Sequence, residues 1–199
     1  TSTRNTKMEV VKSKMSVNCI NGYETTRRVE YLINPQKGRT IVVASDLCEP
    51  GHWNDPEYDS HIQYCVERFI DSVKHQPALL QTLKNNPLQY ATGQAGASIH
   101  PLLSAWCKQN RISVTNALDN YGFKSYLPIR HAFVFGIHRE LCVTAHLHAL
   151  ANISPMIKSV CLLDCTVPLL PGEANVPLHI ARHHAQVDVV HTQNTSFVD

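Results

Sequence analysis

Leu-Cys-Val-Thr-Ala-His-Leu-His-Ala-Leu, residues 141–150, is the stretch on which the reading of this chain turns. It lies between two further runs rich in Val, Ile, Leu and Phe, residues 125–137 and 159–167, and polar or proline-bearing turns separate the three. Read as a strand, it puts His146 and His148 on one face, because strand side chains alternate. Long strands then fill the second half of the chain. That order predicts an α+β fold rather than alternating βαβ units.

The first half reads differently. Residues 25–33 carry Val29, Tyr31 and Ile33 in alternation, Asn34-Pro35 opens a turn, and Thr-Ile-Val-Val-Ala-Ser at 40–45 reads as a buried strand. Past Asp55-Pro56 the period changes. Ile62, Cys65, Val66, Phe69, Ile70 and Val73 recur at three and four, which predicts an amphipathic helix with Asp55 as cap and Pro56 as its first residue. A second short helix is expected over 77–83.

The 199 residues suit one domain, read as the catalytic piece of a longer protein because the chain opens on Thr1 without a signal-type apolar run. A formal charge of +2 without a basic run argues against a nucleic-acid binder, and no apolar stretch is long enough to span a membrane. Seven cysteines, an odd count spread through apolar segments, point to reduced buried thiols and a reducing compartment.

Two segments suggest chemistry. Gln89-Tyr-Ala-Thr-Gly-Gln-Ala95-Gly-Ala-Ser-Ile-His100 is a loop of small residues running into the apolar positions Ile99, Leu102, Leu103 and Trp106. The start of a helix carries free N–H groups and partial positive charge, which bind an anion or favour a thiolate. Sixteen residues beyond His148 stands Asp164, placed to fix one imidazole nitrogen and leave the other as a base. His146, His148, Cys161 and Cys165 offer two imidazoles and two thiols. Cysteines four apart on a strand lie ~13 Å apart by the strand rise, too far to share one zinc. Neither metal nor cofactor is expected.

Taken together, residues 89–166 resemble the papain-like cysteine hydrolases, and within them the catalytic domains of bacterial toxins and injected effectors, of the YopT-type protease or Pasteurella-toxin-type glutamine deamidase kind. The resemblance implies a papain-like α+β fold, a helical half beside an antiparallel sheet. It places the nucleophile at position 95, the base at His148, the orienting acid at Asp164 and an oxyanion donor at Gln89. His131 and His146 stand as alternatives for the base. Position 95 holds alanine, which cannot attack a carbonyl, so the chain as written is expected to be inert: a natural pseudoenzyme or, favoured because base, acid and oxyanion donor are present, a Cys-to-Ala variant. The implied activity is cysteine-dependent amide hydrolysis, leaning to deamidation of a glutamine on a host GTPase or G-protein subunit. The implied setting is secretion or injection by a bacterium into the host cytosol. A protease of the same fold and a dead interaction domain are the rival readings.

Overall fold

The computed structural model describes residues 40–94, 96–117, 129–169 and 184–198, with the backbone alone at 19–20, 23–24, 29–32, 117 and 198. The strands are β1 (Cys19–Ile20), β2 (Tyr23–Glu24), β3 (Val29–Leu32), β4 (Thr40–Ser45), β5 (Leu88–Ala91), β6 (Val114–Ala117), β7 (His131–Ile137), β8 (Lys158–Val167), β9 (Val187–Val190) and β10 (Thr195–Val198). The helices are α1 (Pro56–Lys74), α2 (Pro77–Asn85), α3 (Pro101–Gln109) and α4 (Thr144–Ile153), the last continuing a π-helical turn over Arg139–Val143.

Six strands form one sheet in the order β6-β5-β4-β7-β8-β9, and every neighbouring pair runs parallel. The expected antiparallel sheet of a papain-like α+β fold is therefore corrected to a parallel α/β arrangement. The reason is residues 141–150. Val143, Leu147, Leu150 and Ala151 are all buried, a spacing of three and four that marks a helix. Alanines at 145, 149 and 151 favour that state. With α4 between them, β7 and β8 become a parallel pair joined by a crossover.

The sheet carries a core on each face. Val42, Ala44, Phe133 and Phe135 pack beneath α1, α2 and α3, whereas Ile41, Val43, Val134 and Cys161 pack beneath α4. Alternation along a strand sends neighbours to opposite faces, and both faces are covered, so the central strands are apolar throughout. Helix α1 forms as expected: the Asp55 carboxylate accepts from the Glu57 N–H at 2.9 Å, Pro56 opens the helix, and all six periodic apolar residues are buried. Helix α2 starts at Pro77 and ends at Asn85, just ahead of Asn86-Pro87.

The strand order descends from β6 to β4 and then climbs from β7 to β9, so the chain changes direction across the sheet between β4 and β7. In open parallel sheets, the crevice outside the C-terminal strand ends at such a switch is where ligands bind. Here the two strands approach closely. Gly136 has φ +125°, and a Cβ placed on it would lie 2.2 Å from the Ser45 carbonyl oxygen. Only glycine fits there.

Candidate functional site

The C-terminal ends of β4 and β7 hold a group of side chains at the switch point. Asp46 directly follows β4. It is in the left-handed region at φ +53°, its N–H donates to the Ala91 carbonyl at 2.9 Å, and it is 4% exposed. Its Oδ1 is buried and has no hydrogen-bond partner among the described residues. A buried carboxylate oxygen without a protein partner costs stability.

Near Asp46 stands Cys142, half-buried in the first turn of the helical run that starts at Arg139. Burial pushes its thiol up to about 12, and a hydrogen bond and the negative charge of Asp46 push in the same direction. The thiol is therefore protonated at neutral pH. The dipole of the helical run favours negative charge at its N-terminal end.

Imidazoles surround the pair. His146, one turn beyond Cys142 on the same helical face, has its Nδ1 2.9 Å from the Ser45 hydroxyl. Burial lowers its pKa to about 4. Ser45 is fully buried, so this couple is a neutral internal contact rather than an exposed Ser–His nucleophile. His138 Nε2 lies 3.0 Å from His61 Nδ1, which joins α1 to the start of the Arg139 turn. Burial, helped by His61, lowers His138 to about 4. Tyr58 packs edge-on against His138 at 4.6 Å and Trp53 packs on Tyr58 at 5.6 Å, a row of aromatic rings leading from the C-terminal end of β7. On the other side, the Tyr90 hydroxyl donates to the Cys48 sulfur at 3.1 Å.

The residues expected from sequence are dispersed. Ala95 lies outside the described residues; the helix beyond it begins only at Pro101, capped by His100 Nδ1, which accepts from the Leu102 N–H. His148 is exposed on α4, with the His184 ring 6.3 Å away. Asp164 sits in β8, where its Oδ2 is 2.7 Å from Arg68 of α1 and its Oδ1 accepts from the Thr192 N–H at 2.9 Å. Since α1 and α4 cover opposite faces of the sheet, the structure does not bring His148 and Asp164 together. The His191 Nδ1 lies 4.0 Å from the Asp164 Oδ2. Gln89 is buried in β5, its amide donating to the Pro87 carbonyl at 3.2 Å. His131 begins β7, at the opposite end of that strand from the switch-point crevice, its ring stacked on Phe133. Of the expected site residues that are described, the alternative base His146 is the one at the switch point, against Ser45 at the end of β4.

Cys161 and Cys165 belong to cores on opposite faces of the sheet. Among the described residues, no group of three or more His, Cys, Asp or Glu is placed to hold a metal ion. Six cysteines there are free, and no helix is long and apolar enough to cross a membrane.

No family model matches the chain, and no curated protein matches it. A similar solved structure is that of a Leishmania major protein carrying the provisional name Mar1 ribonuclease. The two are 13% identical, the match covers 84% of each chain, and the TM-score is 0.56. At that identity the likeness shows the fold alone. It agrees with the α/β arrangement.

Proposed function

We propose that the switch-point crevice is the active site of a thiol hydrolase, with Cys142 as nucleophile and Asp46 as its proton acceptor. The observation that carries this reading is the buried Asp46 carboxylate, one oxygen unpartnered among the described residues, facing a half-buried thiol at a helix start. Cysteine-dependent amide hydrolysis, the reaction class implied by the sequence resemblance, is retained, and the nucleophile moves from position 95 to 142. The bacterial setting, the host protein and the choice between deamidation and proteolysis rest on the resemblance alone.

The chemistry follows from the pair. As the Cys142 sulfur attacks an amide carbonyl carbon, its proton passes to Asp46, so no free thiolate has to form against the burial that disfavours it. The helix dipole stabilises negative charge gathering on the carbonyl oxygen. Protonated Asp46 then gives its proton to the departing nitrogen as the C–N bond breaks, leaving a thioester. Water attacks the thioester, Asp46 takes its proton, and the acid product leaves as the sulfur regains a proton.

A panel of activated esters and primary amides tests the reading, with release of the alcohol or ammonia as readout. Turnover is expected from the unmodified chain, lost in Cys142→Ala and lowered at least a hundredfold in Asp46→Asn. Undiminished turnover in Cys142→Ala would overturn it.

A further inference from the structure

We infer that Ser45 and His146 are positioning residues for the Asp46–Cys142 pair, an inference that rests on the thiol-hydrolase reading. The two halves of the proposed site stand on different elements, Asp46 at the end of β4 and Cys142 at the start of the run leading into α4. Nothing in the chain's local geometry fixes their separation. The 2.9 Å contact between Ser45 and His146 bridges those same two elements. Ser45 is the residue immediately before Asp46, and His146 stands one helical turn from Cys142 on the same side. A contact at 45–146 therefore sets the spacing at 46–142.

Three further features suit this role. Both side chains are buried, 0% and 8% exposed, so the contact works in a low-dielectric setting where hydrogen bonds hold strongly. The Ser45 hydroxyl also reaches the Ile137 carbonyl at 3.4 Å, which ties the end of β7 into the same knot. Asp46 needs such support, since a non-glycine residue at φ +53° is held there only by its surroundings. If the hydroxyl donates to Ile137, it accepts from His146 Nδ1–H, and the imidazole serves as a fixed neutral donor. A neutral ring adds no positive charge beside Asp46.

The readout is the pH profile of Cys142 alkylation by iodoacetamide, mapped by peptide mass spectrometry. Asp46 and Cys48 are the titratable groups that raise the thiol, besides burial. In the unmodified chain, alkylation of Cys142 should climb well above the pH at which an ordinary thiol reacts. Asp46→Asn should bring the profile down, because the charge that opposes thiolate formation is gone. Ser45→Ala and His146→Gln should shift it the same way, with alkylation at pH 9 at least threefold faster, since Asp46 is no longer held against the thiol. His146→Asn places an amide nitrogen where Nδ1 was, and should keep the original profile.

Unchanged profiles in Ser45→Ala and His146→Gln, with the Asp46→Asn shift present, would overturn the positioning role and leave the hydrolase reading standing. No Asp46→Asn shift, or a Cys142 that reacts like an ordinary thiol, would instead overturn the hydrolase reading on which it rests. Should His146→Gln fail to fold, Ser45→Ala decides alone, because it removes a single buried oxygen.

Discussion

Asp46 and Asp164 are both buried carboxylates in the same sheet, 4% and 6% exposed, and they do opposite things. Asp164 is saturated. It holds Arg68 at 2.7 Å, the Thr192 N–H at 2.9 Å and the Thr192 hydroxyl, tying α1 and the β9–β10 connection to β8. Asp46 keeps one oxygen unpartnered among the described residues and faces a thiol. A charge with all its partners holds a fold together, whereas one left short of partners is a cost that the proposed thiol-hydrolase role would account for.

The comparison breaks most sharply under exchange of the two aspartates for asparagine. Asp164→Asn leaves Arg68 without its closest counter-charge, and removing one member of a buried pair costs about 3–5 kcal/mol. Urea unfolding should show a loss toward the lower end of that range, because Arg68 reaches solvent, with a correspondingly lower midpoint. Asp46→Asn should unfold at the original midpoint or above it while turnover falls. An Asp46→Asn protein as unstable as Asp164→Asn would show that both carboxylates are structural.

Gly136→Ala probes how closely the strands meet at the switch point. The added methyl would lie 2.2 Å from the Ser45 carbonyl, and the backbone is left-handed besides. We expect a loss of about 2–4 kcal/mol in urea unfolding, as for strain plus overpacking in a core. Turnover should fall too, since Ser45 is displaced along with Asp46. A variant of unchanged stability would mean that β4 and β7 are not pressed together there.

Acidification acts next. His146 is held neutral, its pKa moved from 6.5 to about 4, so the unfolded chain takes up its proton first as pH falls. Stability from keeping this ring neutral is full above pH 6.5 and drains as pH falls through the window down to about 4, by up to a few kcal/mol. His138, lowered likewise, adds to the same window. Urea midpoints measured from pH 7 to 4 should fall more steeply for the unmodified chain than for His146→Asn. Parallel curves would place the acid sensitivity elsewhere. The smallest effect belongs to Asp55→Ala, which removes the α1 cap and should cost about 1 kcal/mol without touching turnover.

Much of the fold was legible because local signals agreed with it. Helix α1 announces itself through Asp55-Pro56 and an unbroken helical period, and β4 through six apolar or hydroxyl residues with no break. Residues 141–150 misled because two histidines two apart mimic a strand's alternation, while the helical positions 143, 147, 150 and 151 were the stronger signal. One misread element turned a parallel crossover into an antiparallel expectation. The candidate site was illegible for a different reason. Asp46 and Cys142 are 96 residues apart in sequence, and only the order of the strands brings them near each other. An acid directly after a buried strand and a cysteine opening an apolar run were the available hints, and neither points to the other without that topology.

Trapping the acyl-enzyme tests the central claim most directly. The unmodified chain, mixed with p-nitrophenyl acetate and quenched in acid during the steady state, should carry one acetyl group, and peptide mapping should find it on Cys142. Asp46→Asn should slow its appearance, and Cys142→Ala should carry none. An acetyl group mapped to another residue, or none at all in the unmodified chain while the ester is being turned over, would contradict the account.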